Sequence, residues 1–448
     1  MGITINIGCR EEFTNKAVFV FKTLLNTLAP KTKEKVTIGY GSLGDIEIVP
    51  CDTDYFNDIR EYDIKRVKYF FWKGKKIPIL FYDSIDESRD YYTAAKVNSK
   101  PSIPFDIISS AFFFLSQWQE LHVKKRDKFD RFPYSESYQK RMKIALVPIV
   151  NEYMYVLKDL IDLFSKNIKW KPMWPSDKKF VIFLSHDVDS IWKWTKDSYK
   201  SNLKEIFSKK RFNLRRSYWL FEKILNGEKK LGATSTFFFL SGMYNTKALY
   251  MRRLFEKLEK GGWEVGFHGG FDSYNSEEIL FNEFRNLDAQ VGKIMGTRQH
   301  FLRFSFPKTF LLQEKCGMEY DSTIGFAENE GYRTGFAFPY NPYNHSLDRE
   351  FSLMEIPLNV MDTTLLYHKR MNVKNIWKCV KKILEINRDY NGCLSILWHL
   401  SSFDDPFLAN IYWKIINWTN KEEGICLSGK EVVNWWTERY SDLDLFVQ

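Results

Sequence analysis

At 448 residues, of which 44% are hydrophobic and 17% aromatic, the chain is too long for one hydrophobic core and too apolar for disorder, so two globular units are expected. The net charge of +10 invites a polyanion-binding reading. Residues 191–230, however, hold twelve Lys and Arg against four Asp and Glu, so most of the surplus is confined to one stretch and a general nucleic-acid partner is not expected.

In chain order, residues 1–172 mix strand-like runs (KVTIGYG, IEIVP, IPILFY) with helical ones (AVFVFKTLLNTL, PFDIISSAFFFLSQWQELH, ALVPIVNEYMYVLKDLIDLF). This predicts a smaller α/β or α+β domain with no concentrated chemistry. The segment IKWKPMWPSDKKF, with two prolines and several charges, reads as a linker. A second unit then spans 178–448, interrupted early by the basic insertion at about 191–230. There, charges interleave with Phe212, Tyr218, Trp219 and Phe221, which suits contact with an anionic membrane surface or an acidic polymer. The plainer reading is a solvated helical insertion whose aromatics pack on the domain.

Through the second unit, apolar strand candidates (FVIFLS, ATSTFFFLSG, WEVGFHG, TRQHFLRF, YDSTIGF, LMEIPLNV, CLSILWHL) alternate with helices predicted at 249–260, 276–294, 306–316, 373–389, 407–421 and 429–440. Such alternation predicts a parallel sheet covered by helices, doubly wound or closed as a barrel. Gly261-Gly262, Gly317 and Gly392 each follow a periodic segment, as helix C-caps do. Six cysteines (Cys9, Cys51, Cys316, Cys379, Cys393, Cys426) stand without Cys-x-x-Cys pairs, which argues against a disulfide framework or a thiolate zinc site. With no run of roughly 18 apolar residues and no basic-then-apolar leader, a soluble, cytoplasmic protein is the expectation.

Polar residues of the second unit gather where apolar runs end: Asp187 and Asp189 after the first strand, His268 at the end of EVGFHGG, His399 after SILW. Carboxyl ends of parallel strands share one mouth, so these groups should converge there. Two carboxylates at i and i+2 on an extended segment point the same way, and a divalent cation would relieve the cost of gathering them in a pocket.

The segments FLSHDVDS, EVGFHGGFDS, TRQHFLRF, MEIPLNVMDTTL and LSILWHLSS resemble, in order and approximate spacing, the five motifs of the NodB-homology polysaccharide deacetylases, carbohydrate esterase family 4. The resemblance covers roughly residues 178–440. The first 170 or so look like an uncharacterised N-terminal domain found in one bacterial branch of that family. What the resemblance implies is a distorted (β/α)₇ barrel, a divalent metal with zinc foremost, and hydrolysis of acetyl groups on an amino sugar or polysaccharide of a bacterial surface glycan or its precursor. Residue by residue, Asp187 resembles the catalytic base and Asp189 a metal ligand. His268 resembles a second ligand, and Arg298 the residue that orients the base through a bidentate ion pair. Asp362 resembles the support of the general acid, and His399 the acid itself.

One departure stands out. The family's second motif carries a second histidine at i+4, where this chain has Asp272. Asp272 and His300 are both candidates for the third metal ligand; without one, the expectation is a catalytically degenerate carbohydrate-binding protein on the same fold. Phe271, Tyr274 and Trp398 could stack on sugars or simply pack. His186 should face away from Asp187 as a structural histidine, and His122, His345 and His368 should lie at the surface. GYRTGFAFPYNPYN reads as a long loop over the mouth, in which Arg333 either contacts substrate or, the plainer reading, lies at the surface. Ser185 and Ser190 lack the G-x-S-x-G elbow of a serine hydrolase.

Overall fold

A computed structural model of the chain describes residues 2–191, 219–242, 245–440 and 445–448. Residues 192–218 of the expected basic insertion lie outside the described residues. Among those described, no helix is long and apolar enough to cross a membrane, and all six cysteines are free thiols.

The first unit is built on a parallel sheet of β1 (Ile3–Ile7), β2 (Val36–Tyr40), β3 (Ile46–Ile48) and β4 (Ser102–Ile103). Helix α1 (Glu11–Leu28) joins the first two strands, with acidic Glu11 and Glu12 at its positive end. Helix α2 (Ile107–Leu115) is buried along its whole length. Its N-cap, Asp106, accepts from the backbone N–H groups of Ile108 and Ser109 at 3.0 and 2.8 Å, satisfying donors that water cannot reach. Helix α3 (Ile149–Phe164) completes the layer.

Among the described residues, the second unit has seven parallel strand positions. They are β5 (Val181–Val188), β6 (Thr236–Leu240), β7 (Glu264–Gly269), β8 (Gly296–Gln299), β9 (Tyr320–Asp321), the paired segments β10 (Met354–Glu355) and β11 (Leu358–Met361), and β12 (Cys393–Leu397). Each pairs with its sequence neighbour from β5 to β10, and β12 lies between β5 and β11. The ring closes through covalent continuity: β10 pairs with β9, and two residues later the same segment, now β11, pairs with β12. A short strand, β13 (Ile425–Leu427), also pairs with the first half of β5 and distorts the ring. This is the distorted (β/α)₇ barrel that the sequence led us to expect.

The helices between strands are α4 (Phe221–Leu231), α5 (Leu249–Lys260), α6 (Glu277–Val291), α7 (Lys308–Lys315), α8 (Val373–Asp389), α9 (Pro406–Lys421) and α10 (Gly429–Tyr440). The start of α10 plugs the barrel floor, where Glu264 Oε2 accepts from Lys430 N–H at 2.8 Å and from the hydroxyls of Thr236 and Tyr320 at 2.6 and 2.9 Å.

The two units share one continuous apolar core that runs from Ile3 and Phe112 to Val181, Phe338 and Trp436. The last strand, β14 (Leu445–Val447), assigned with the second unit by the 178–448 boundary, runs parallel to β1 and extends the first sheet. A three-residue strand carries no pattern that names its partner. Arg333 is also corrected. It is buried, and its Nε and Nη2 donate to Glu120 Oε1 of the first unit at 3.0 and 2.6 Å, while Nη1 donates to Gly325 O. The GYRTGFAFPYNPYN stretch is thus packed between the units: Gly335 O accepts from Val150 N–H and Ala337 N–H donates to Asn151 Oδ1.

Removing one member of a buried ion pair strands the other charge. Arg333→Met should therefore cost about 3–5 kcal/mol in urea unfolding, and adding Glu120→Leu should recover most of that loss. A single variant as stable as the parent would contradict the burial of this pair. At the barrel floor, burial pushes the Glu264 carboxyl up to about 7 despite its three donors. The folded protein thus favours the neutral form, so this group's contribution is complete below its ordinary value of 4.5 and is lost as pH rises through about 7. Glu264→Gln should gain on the parent between pH 5 and 8, by up to about 3 kcal/mol, in unfolding measured at each pH; a constant gap would refute it.

Candidate metal centre and acid–base groups

Strand alternation along β5 sorts its side chains. Ser185 and Asp187 point into the barrel, where both accept from Arg298 Nη1, at 2.8 and 3.0 Å. His186 points outward under the helices: Nδ1 lies 2.7 Å from Trp398 O and Nε2 lies 3.1 Å from Glu228 Oε1. It is the structural histidine expected from alternation.

Arg298 rises from β8 beside His268 on β7, the two being register partners. Its guanidinium is fully buried, lies 4.5 Å over the Phe238 ring, and uses Nε and Nη2 on Ser322 O and Oγ. Contact with Asp187 is therefore through one nitrogen, not the expected bidentate pair, because Ser322 takes the other edge. Ser322 has no signal in the sequence beyond its place after β9.

His268 Nδ1 lies 2.9 Å from Arg298 O. A proton on Nδ1 donated to that carbonyl leaves the Nε2 lone pair facing the mouth. The two glycines that follow His268 leave room for their neighbours: a Cβ at Gly269 would displace the Gln299 and Ser273 side chains, and one at Gly270 the Glu283 carboxylate. Facing His268 Nε2 are Asp189 Oδ1 at 3.2 Å and His300 Nδ1 at 3.1 Å, and those two are 3.3 Å apart. The three donors form the one group with metal-ligand spacing among the described residues. Their separations fit a tetrahedral ion, since bonds of roughly 2.0–2.1 Å give edges of about 3.3 Å. Asp189 Oδ1 is moreover a buried oxygen with no hydrogen-bond donor, a costly arrangement unless a cation fills it. In their protonated forms, without a cation, the same imidazoles become donors to it and hold the Asp189 carboxyl well below its ordinary range against the opposing effect of burial.

His300 reaches this position by a turn and not by strand alternation: β8 ends at Gln299, and Phe301 and Leu302 adopt positive φ of 58° and 57°. Asp272 stands outside the group. It is exposed and ion-paired to Arg303 Nη1 at 3.2 Å, because residues 271–275 form a turn, which lacks the regular repeat that would carry residue i+4 back beside residue i.

His399 follows β12, with Nδ1 2.6 Å from Asp362 Oδ1 and its backbone N–H donating to Asp362 Oδ2 at 2.8 Å. Ser402 also donates to that oxygen, a contact foreshadowed only by the serines of HLSS. Burial alone would lower the His399 pKa, but Asp362, then Asp189 and Asp187, override it and push it up to about 10. The free Nε2 lies 3.9 Å from Asp189 Oδ2. Asp187, Asp189, His268, Arg298, His300, Asp362 and His399 thus meet at one mouth, and Asp272 is the expected site residue that does not join them.

Among the other candidates, Trp398 is fully buried packing, and Tyr274 is buried with its hydroxyl on Asp130. Phe271 is 46% exposed beside the site. His368 is exposed as expected. His345 is not a surface residue: it packs against Trp118 and Tyr343, and its Nε2 lies 2.8 Å from Ser116 O. His122 likewise has both ring nitrogens buried, against Tyr138.

Residues 9–165 match the model of a family of unknown function, DUF7033. No curated protein matches the chain. Among solved structures the chain is similar to several. A probable polysaccharide deacetylase from Pseudomonas aeruginosa PAO1 is 14% identical, with 60% of this chain and 94% of that one covered at a TM-score of 0.45. Puue allantoinase is 15% identical, with 60% and 93% covered at 0.45. A family 4 carbohydrate esterase pseudoenzyme from Bacillus anthracis is 13% identical, with 61% and 70% covered at 0.35. The likeness is one of fold.

Zinc titrated into metal-stripped protein should bind at one ion per chain. His300→Ala should weaken that binding at least tenfold, whereas Asp272→Ala should leave it within about twofold. The reverse ranking would make Asp272 the third ligand.

Proposed function

We propose that the protein is a metal-dependent hydrolase that removes acetyl groups from an acetylated amino sugar or polysaccharide. The observation that carries this reading is the meeting, at the carboxyl ends of five strands, of a three-donor cation site with a base and an acid that are separately supported. Asp189, His268 and His300 would hold the ion; zinc suits two imidazoles and a carboxylate at these separations. Bound there, a divalent metal supplies acidification of water and polarisation of the acetyl carbonyl.

The chain's own groups provide the proton traffic. Arg298 pins Asp187 Oδ1, leaving Oδ2, 3.6 Å from His268 Nε2, facing the mouth to take a proton from the attacking water. His399 is kept protonated by Asp362 and carries its free Nε2 proton toward the same space, placed to deliver it to the departing amine or alkoxide. Neither group shares its supporting partner with the other, so one can be a base while the other remains an acid.

A catalytically degenerate carbohydrate-binding protein is the second reading. It rests on Asp272 standing where the resembling family has a ligand histidine. Acetate release from soluble N-acetylated and O-acetylated oligosaccharides separates the two. For the hydrolase, release requires metal and falls by about 10²–10⁴-fold in Asp187→Asn and in His399→Gln. Oligosaccharide binding without release from the metal-loaded parent would establish the second reading.

A further inference from the structure

We propose that residues 127–131 of the first unit are a working part of the barrel's site: they position the turn that carries His300 and back the aromatic rim along which a sugar ring would approach it. This rests on the reading of Asp189, His268 and His300 as a metal centre.

The turn at His300 needs an external brace. Phe301 and Leu302 both hold a left-handed backbone, which bulky residues rarely adopt, and His300 is the residue immediately before them. The brace comes from the other unit. Arg131 Nη1 donates to Phe301 O at 2.9 Å, and the Phe129 ring lies flat on the Phe301 ring, with centroids 4.8 Å apart and planes 7° apart. On the far side of the turn, Arg303 Nε donates to Phe129 O at 3.0 Å and Nη2 to the Tyr274 hydroxyl at 2.9 Å, while that hydroxyl donates to Asp130 Oδ2 at 2.8 Å. Residues 127–131 therefore touch the segments after both β7 and β8, the two strands that deliver the histidines.

The loop keeps its shape through its own contacts. Asp127 accepts from the backbone N–H groups of Phe129 and Arg131 at 2.8 and 3.0 Å and from Arg131 Nε at 2.8 Å, and Asp127 N–H donates to Arg131 O. Arg131 is thus held before it reaches Phe301, so little ordering is lost when it does. Beside this contact, Phe301 and Phe271 remain 43% and 46% exposed, with their rings edge to face at 6.0 Å. An exposed aromatic rim next to His300 offers a surface for the C–H face of a pyranose. In this assignment Arg131 is a positioning residue, and Phe129 backs the Phe301 ring, which with Phe271 forms the sugar's seat.

The test uses the full chain, with zinc affinity measured by calorimetry on metal-stripped protein and steady-state kinetics on an N-acetylated oligosaccharide. Arg131→Ala should weaken zinc binding about tenfold or more, the usual effect of removing a partner that orients a ligand. Phe129→Ala, which leaves the Asp127–Arg131 ties in place, should weaken zinc binding in the same direction and raise KM more than it lowers kcat. It also decides the matter should Arg131→Ala fail to fold. Parental zinc affinity and KM in the folded variants would overturn this inference alone. A parent that binds no zinc would overturn the metal-centre reading, and this inference with it.

Discussion

A guanidinium in the middle of a barrel is tolerated only where its charge is matched and its nitrogens are hydrogen-bonded, and the way Arg298 meets that condition arranges the rest of the site. One nitrogen serves Ser185 and Asp187, and the other two serve Ser322. Asp187 is thereby held by one oxygen and presents the other to the mouth. The backbone carbonyl of the same arginine faces Nδ1 of His268 and so turns Nε2 toward Asp189 and His300. A single residue on β8 therefore orients both a proposed ligand on the adjacent strand β7 and, across the barrel, the proposed base on β5.

The barrel and the first unit are not separable pieces that happen to touch. They share a core, a buried ion pair between Arg333 and Glu120, and a sheet that the end of the chain completes at β14. Arg439, on the last helix, donates to the final carbonyls of α1 at Asn26 and Thr27, where a cation suits the negative end of a helix. A family of unknown function matched at residues 9–165 is thus, in this chain, built into the walls of the barrel and reaches its mouth through residues 127–131.

Much of the barrel was legible in the sequence, for local reasons. Helices at 249–260, 373–389 and 429–440 occur where their periodicity placed them, because an amphipathic repeat with a cap at its end is complete within its own residues. Strand-end chemistry was legible as well: Asp187, Asp189, His268 and His399 all lie at or just past the ends of apolar runs, and parallel strands carry their ends to one place, whereas Asp362 was picked out only by the resemblance of its segment to a family motif. The third member of the donor group was not. Choosing between His300 and Asp272 required knowing that the segment after His268 is a turn and that Phe301 departs from strand geometry, and neither follows from residue spacing. Arg333 and His345 were misplaced for a related reason. A charged or polar residue in a loop reads as solvated unless one knows that another unit covers it, and Glu120 and Ser116 lie more than two hundred residues away.

The sequence by itself determined which segments become helices and strands, and which end of each strand bears ionisable groups, since both follow from periodicities of 3.6 and 2 residues along a single stretch of chain. The tertiary structure alone decided which of those groups stand within 3.3 Å of one another, which loop arginine is buried and which is not, and that a segment of the first unit braces the turn at His300. Those are distances between elements far apart in the chain, set by ring closure at β10 and β11 and by the packing of one unit on the other, and no local pattern encodes them.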